Sequence, residues 1–114
     1  MPATIVHSEI PADNIERANK SYGSLFGWTF DPDFTSHDYR HINNTQLPGG
    51  LVSHDQQSVL RPYYRVDDIR AAVAKVRALG GKAEEPTESK SGWCALCHDN
   101  QGVSFDLWQP ALGY

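Results

Sequence analysis

Two stretches of the chain place apolar residues at the spacing of an amphipathic α-helix. Asp13 or Asn14 can cap the first helix, and Asp67 or Asp68 can cap the second. Glycines follow both runs and are expected to end the helices. The positions predicted to face inward are Ile15, Ala18, Tyr22, Leu25 and Phe26 in the first helix and Ile69, Ala72, Val73, Val76 and Leu79 in the second.

The two helices repeat one pattern. Ile15 corresponds to Ile69 and Gly27 to Gly81, at an offset of 54 residues in both cases. Stretches typical of β-strands surround the helices and are separated by turn-forming residues. The predicted strands span residues 4–10, 28–30, 38–42 and 50–53 in the first half, and 63–66, 82–85, 93–97 and 103–108 in the second. Residues 87–92 are predicted to form a loop.

Each half is therefore a strand, a helix and three further strands, which predicts the α+β class. The length of 114 residues fits one domain, with a first module of about residues 1–56 and a second of about 57–110. A net charge of −4 makes nucleic acid an unsuitable partner. The chain has no run of about 18 apolar residues and no basic, then apolar, N-terminal segment. We therefore expect no membrane partner and a cytoplasmic location.

The two cysteines lie three positions apart in a predicted strand. At about 3.3 Å per residue, the α-carbons of Cys94 and Cys97 would be about 10 Å apart, with their side chains on opposite faces. A disulfide needs α-carbons within about 7 Å. We therefore expect two free thiols.

The repeated strand-helix-strands pattern resembles the vicinal oxygen chelate superfamily, which includes glyoxalase I, extradiol dioxygenases, fosfomycin-resistance enzymes and bleomycin-binding proteins. The segments that carry the resemblance are IVHSEIPADNIERANKSYGSLFGW, YYRVDDIRAAVAKVRALGGK and DNQGVSFDLWQP, and together they extend over essentially the whole chain. The resemblance implies a mixed sheet that curls around one cup-shaped pocket. It also implies a homodimer.

Metal-dependent members of that superfamily place ligands at equivalent strand positions. By this resemblance the positions correspond here to His7, Asp106, Arg61 and a residue close to Gly50. Arginine has no acceptor for a metal and glycine has no side chain, so two of the four positions keep ligand chemistry. No cofactor is certain. A divalent metal on His7 and Asp106 would need a further donor, such as Glu9, His41 or His54.

Strand alternation places Glu9 on the face of His7, and Tyr63 and Arg65 on the face of Arg61, while Trp108 follows Asp106 by two positions. We take Glu9, Arg61 and Asp106 as candidate catalytic residues. The base would be His7, Glu9 or Asp106, and Arg61 would stabilise the developing oxyanion. Arg61 can pair with Asp106 or Glu9 and present a fixed positive charge in place of a metal. The alternative is a purely structural pair of Arg61 with Asp106. The candidate substrate-binding residues are Tyr63, Arg65, Trp93 and Trp108.

Three functions agree with these residues. The first is a glyoxalase-like protein that binds a small molecule, or a lyase or isomerase related to the dioxygenases, which transfers a proton next to a carbonyl. The second is sequestration of a ligand without catalysis, as in bleomycin-resistance proteins. The third is a structural or regulatory subunit without a small-molecule site.

Overall fold

A computed structural model describes residues 2–36, 38–53 and 59–114, and shows within them two helices and nine strands. In chain order these are β1 (Ile5–Pro11), α1 (Ile15–Phe26), β2 (Phe30–Ser36), β3 (Tyr39–Ile42), β4 (Gly49–Val52), β5 (Arg61–Arg65), α2 (Ile69–Ala78), β6 (Lys82–Ala83), β7 (Thr87–Ser89), β8 (Gly92–His98) and β9 (Ser104–Pro110). The predicted α+β class is confirmed. Neither helix is long and apolar enough to cross a bilayer, as far as the described residues extend.

The internal contacts of the chain define two compact units. The first unit is His7–Arg61, and the second unit is Pro62–Tyr114 together with the N-terminal residues up to Val6. The break between Arg61 and Pro62 lies a few residues after the module boundary predicted near residue 56. That the two modules form a single domain stays a prediction.

In the first unit, the strands lie in the order β2-β3-β4-β1. β1 runs parallel to β4, whereas the other two pairs are antiparallel, so the sheet is mixed. α1 packs on one face against β3 and β4, with Ile15, Ile42 and Leu51 buried. Of the two capping residues that the sequence offers, Asn14 caps the helix, because its Oδ1 accepts the backbone N–H of Arg17 at 3.1 Å.

In the second unit, the strands lie in the order β5-β9-β8-β6, and β7 also pairs with β8. β5 is parallel to β9, as β1 is to β4. Asp68 caps α2 by accepting the N–H of Ala71, and the Gln109 side chain of β9 accepts the N–H of Ile69 at 2.8 Å. α2 packs against a buried cluster formed by Ile69, Val73, Ala95, Cys97 and Leu107.

The helix ends differ from the sequence prediction. Leu25, Phe26 and Leu79 were expected to face inward, but they are 68%, 59% and 67% exposed. Each lies at or just beyond the last turn of its helix, and the buried residues lie nearer the helix starts. The helical spacing of apolar residues therefore continues to the end of each helix, whereas only the first part of the helix packs on its sheet.

Two strand predictions were also wrong. Residues 87–92 do not form a loop, because Thr87–Ser89 is a strand that pairs antiparallel with β8. The strand after α1 begins at Phe30 and continues to Ser36, instead of ending at Phe30. Both missed segments are polar or contain proline, and their strand state comes from backbone pairing with a neighbour that local sequence does not indicate.

Candidate functional site

The register of the first unit collects polar side chains on the face turned away from α1. Arg40 reaches Glu16 of α1, so its neighbours Tyr39 and His41 project from the opposite face. On that face Gly50 of β4 pairs with His41 on one side and with Glu9 of β1 on the other. We call the side chains around Gly50 the Glu9 cluster; its members are His7, Glu9, Tyr39, His41 and Arg61.

Glu9 is held through both of its carboxylate oxygens. Oε2 lies 3.3 Å from Nε2 of His7, and Oε1 lies 3.3 Å from Nη2 of Arg61. The three side chains are 15%, 20% and 13% exposed, in the order Glu9, His7 and Arg61. An ionised carboxylate only accepts hydrogen bonds, so His7 and Arg61 donate, and each oxygen keeps a second lone pair.

Tyr39 and His41 form a second pair within the cluster. The Tyr39 hydroxyl lies 3.0 Å from Nδ1 of His41. Burial, reinforced by the negative charge of Glu9, raises the pKa of Tyr39 above its usual value, so the phenol keeps its proton. Burial lowers the pKa of His41; nearby His7 lowers it further, and Asp31 acts in the opposite direction. His41 is therefore neutral at pH 7.

Gly50 explains why Tyr39 can lie where it does. A Cβ atom at position 50 would collide with the Tyr39 ring, at its edge and hydroxyl. The ring thus fills the space into which any side chain at position 50 would project. The resemblance assigns a metal ligand to a position close to Gly50, and at Gly50 itself a phenol fills the space.

The second unit has the corresponding position at Asp106. Tyr63 pairs with Asp106 across the parallel β5–β9 ladder, just as Glu9 pairs with Gly50 across β1–β4. Arg65 pairs with Trp108 in the same ladder. These four residues therefore share the face turned away from α2. Asp106 is only 4% exposed, and the Trp108 indole donates to the Ser91 carbonyl at 3.2 Å.

Trp93, the remaining predicted substrate-binding residue, lies on the other face of this sheet. It pairs with Gln109, packs against the buried cluster below α2, and has the Arg70 guanidinium 5.5 Å from its ring centroid. The structure does not bring Trp93 together with Trp108. Trp108 pairs with Cys94, and Trp93 is the residue before Cys94, so its side chain points to the opposite face. We leave Trp93 out of the proposed site.

The side chains present do not fit the metal site that the resemblance implies. Arg61 is a cation paired with Glu9, the space at Gly50 holds Tyr39, and Nε2 of His7 contacts a Glu9 oxygen. Among the described residues, no group of three or more His, Cys, Asp or Glu side chains is arranged to hold a metal ion. His54, the other donor that the sequence offers, lies outside the described residues.

The sequence predicts His41 only as a further metal donor and does not predict its contact with Tyr39. Their pairing depends on the β3–β4 register, which aligns His41 with Gly50 and Tyr39 with Val52. A local signal was present nonetheless. A glycine at a ligand position indicates that another group occupies the space.

No family model matches the chain. A glyoxylase-like domain-containing protein of Didymella fabae is 34% identical over 84 residues, which cover 65% of this chain and 66% of that protein. The chain thus matches just under two thirds of the relative's length.

Several solved structures share the fold. Hypothetical protein BH1468 of Bacillus halodurans C-125 superimposes with a TM-score of 0.74 at 12% identity, over 100% of this chain and 99% of that chain. Methylmalonyl-CoA epimerase of Mycobacterium tuberculosis has a TM-score of 0.65 at 18% identity, over 97% of this chain and 93% of that chain. Homoprotocatechuate 2,3-dioxygenase of B. fuscum has a TM-score of 0.70 at 13% identity, over 94% of this chain and 32% of that chain. The chain is thus similar to a glyoxylase-like domain protein and has the vicinal oxygen chelate fold.

The donor set differs from the one that the resemblance implies for the ligand positions. The positions that retain a ligand-type side chain are His7 in the first unit and Asp106 in the second. In the first unit, Glu9 lies between two hydrogen-bond donors, with a protonated phenol on the same face. This arrangement can accept a proton and donate hydrogen bonds without a metal.

Proposed function

We propose that the chain binds a small oxygenated molecule and transfers a proton next to its carbonyl group, with Glu9 as the base. The observation that carries this proposal is the contact of both Glu9 oxygens with His7 and Arg61, in a cluster where all three side chains are largely buried. A carboxylate held in a fixed position by its neighbours is suited to act as a general base.

The proposed reaction is a reversible proton transfer of the kind used in isomerisation. Glu9 takes the proton from the carbon next to the carbonyl, and the electron pair of the broken C–H bond moves into an enolate. The enolate then takes a proton back at the same carbon, which restores the C–H bond and the carbonyl, so the reaction consumes no other reagent. His7 and Arg61 keep the carboxylate in place through the contacts at 3.3 Å.

The second unit has a candidate ligand-binding face of its own. On that face Asp106 is a candidate acid, and Tyr63, Arg65 and Trp108 are proposed ligand contacts. A guanidinium and an indole on the same face suit a ligand that carries a carboxylate or phosphate beside an apolar part.

Solvent-deuterium exchange tests the proposal directly. The protein is incubated in D₂O with hydroxyacetone or methylmalonyl-CoA, the molecule named in one of the structural neighbours, and proton NMR follows loss of the signal next to the carbonyl. We expect the Glu9→Gln variant to slow this exchange by about 10²-fold or more, because the amide does not accept the proton.

Glu16→Gln is the matched control, since Glu16 pairs with Arg40 on the other face of the same sheet. It should exchange like the wild type. Equal rates in the Glu9→Gln variant and the wild type would contradict the proposal. Because the donor set does not fit a metal, the exchange should also persist after dialysis against EDTA. Loss of exchange that zinc or nickel restores would show that a metal takes part.

Ligand sequestration without catalysis is the second candidate. It is favoured by Arg61 and Gly50, which stand where the superfamily resemblance expects metal ligands. Calorimetry with bleomycin and with the two exchange probes separates the candidates. Tight binding without exchange supports sequestration, whereas exchange that depends on Glu9 supports the enzyme.

We further propose a homodimer. Leu25, Phe26 and Leu79 expose apolar side chains at the ends of the helices, and Phe26 packs with Tyr22 and Trp28 in an aromatic group with ring centroids 5.1–5.8 Å apart. Large exposed apolar groups are typical of interfaces. Light scattering should give the mass of two chains, and Phe26→Lys should reduce it to one. A wild-type mass of one chain would contradict the dimer.

A further inference from the structure

Tyr39 occupies a special place in the Glu9 cluster. It projects from β3 over the backbone of Gly50, and Gly50 lies directly between Glu9 and His41 in the sheet. Its hydroxyl contacts Nδ1 of His41 at 3.0 Å and is close enough to Glu9 to respond to its charge. The proton acceptor and a phenolic O–H therefore lie on adjoining parts of one sheet face.

The contact with His41 controls where the phenolic proton can point. A neutral imidazole carries one N–H, and when that proton is on Nδ1, His41 donates to the Tyr39 oxygen. The Tyr39 O–H is then directed to another acceptor. A phenol that both accepts one hydrogen bond and donates another is a stronger donor than an isolated phenol.

We propose that the Tyr39 hydroxyl donates a hydrogen bond to the substrate oxygen on which negative charge develops, and so performs the charge stabilisation that a metal ion would otherwise provide. This inference rests on the proposed proton transfer at Glu9. As the C–H bond breaks toward Glu9, the carbonyl oxygen gains the charge of the enolate, and the O–H of Tyr39 stabilises it without transferring its proton. His41 is a positioning residue for this hydroxyl.

The proposal also defines the substrate class. A neutral phenol beside a carboxylate suits an uncharged carbonyl that becomes an oxyanion during the reaction, as in a ketone or thioester with an acidic neighbouring C–H. The Tyr39 ring fills the space at position 50, so that carbonyl must approach the hydroxyl at the ring edge.

Kinetics of the exchange reaction give the first test. Tyr39→Phe keeps the ring and removes the donor, and it should lower kcat for exchange by about 10²-fold with little change in KM. Gly50→Ala keeps the tyrosine but forces its hydroxyl end away from the present position, and it should give a similar loss. Tyr22→Phe is the matched control, because Tyr22 packs against Phe26 and Trp28 away from the cluster. Its kcat should equal that of the wild type.

An oxyanion mimic gives a second test that needs no turnover. The nitronate form of 3-nitropropionate resembles an enolate, and succinate serves as a carboxylate reference; calorimetry measures both. The wild type and the Glu9→Gln variant should prefer the nitronate, and Tyr39→Phe should lose that preference by about tenfold or more. Succinate binding should not change, which also shows that Tyr39→Phe is folded.

The two tests separate this inference from the function on which it rests. Exchange that needs Glu9 but has a normal kcat in both the Tyr39→Phe and Gly50→Ala variants would overturn the role of Tyr39 and leave the base intact. A nitronate preference that depends on Tyr39, without exchange in the wild type, would support the oxyanion site and overturn the proton transfer. A wild type with no preference for the nitronate would overturn the Tyr39 assignment.

Discussion

Cys94 and Cys97 lie on the same strand, and β8 directs their thiols to opposite faces. Cys97 pairs with Phe105, is fully buried and belongs to the cluster below α2. Cys94 is half-buried on the face that carries Trp108. Neither forms a disulfide, as the sequence predicts. One strand therefore contains a packing thiol and a partly accessible thiol.

This difference predicts selective thiol chemistry. Burial, with the nearby charges of Asp106 and Glu84 and against that of Arg77, raises the pKa of Cys97 to about 11. Because the thiolate is the reactive form, Cys97 should resist Ellman's reagent at pH 8. We expect one thiol to react in the native wild type, none in the Cys94→Ala variant and two in guanidinium chloride. Two rapidly reacting thiols in the native protein would contradict the burial of Cys97.

Gly50 and Arg61 each depend on a neighbouring side chain. Tyr39 can lie over the sheet because residue 50 has no side chain, and Arg61 is tolerated because Glu9 accepts from it. A partly buried guanidinium without a carboxylate would be costly. The departures from a metal-binding pattern at Gly50 and Arg61 are thus each matched by a neighbouring residue.

At the scale of elements, the turn between β8 and β9 depends on one carboxylate. Oδ1 of Asp99 accepts the N–H of Gln101 at 2.8 Å and of Val103 at 3.0 Å. These bonds, reinforced by Gly102 and His98, lower the pKa of Asp99. This turn joins β8 and β9, so bonds that stabilise the turn also stabilise the antiparallel pairing of these two strands.

The direction of the shift fixes the pH dependence. A carboxyl whose pKa is lower in the folded state stabilises the fold above its unfolded pKa of about 4, and that contribution is lost as the pH falls through the folded value. Asp99→Asn should therefore lower Tm at pH 7 by more than at pH 3. Asp13→Asn, an exposed acid ahead of α1, is the control. An equal Tm difference at both pH values would contradict a role for the charge.

The elements differ in how far sequence alone predicts them. The helix starts at Asn14 and Asp68 were predictable, because a cap acts on N–H groups three residues away. Strand β7 was not, because its three residues are exposed and show no alternation. The placement of Tyr39 was not predictable either, because it depends on pairing between β3 and β4 and on the absence of a side chain at Gly50.

Across the whole molecule, the internal repeat predicts which strand positions of the two halves are equivalent. It predicts the ends of the helices and strands less well. The offset between Glu9 and Tyr63 is the same as that between the helix starts, and each faces an equivalent residue on a parallel strand, Gly50 or Asp106. The equivalence of these positions was therefore predictable from the duplicated pattern. The chemistry at them was not, because the two halves have different side chains.

The prediction that residues 1–114 are one domain can be tested by unfolding. Each compact unit comprises about half of the chain, a length at which a domain on its own is only marginally stable. Leu51 is fully buried in the first unit, and Leu51→Ala should reduce the free energy of unfolding by about 2–5 kcal/mol. In one cooperative domain this loss affects both units equally.

Tryptophan fluorescence can report on each unit separately. Trp28 lies in the first unit, and Trp93 and Trp108 lie in the second, so a Trp28→Phe variant and a Trp93→Phe/Trp108→Phe variant give one reporter set each. Leu51→Ala should move the urea midpoint of both sets by the same amount. Val73→Ala, in the core of the second unit, should also move both, by an amount that reflects about 2 kcal/mol. If Leu51→Ala moves only the Trp28 transition while Val73→Ala moves only that of the second unit, the halves unfold independently, and the single-domain prediction is wrong.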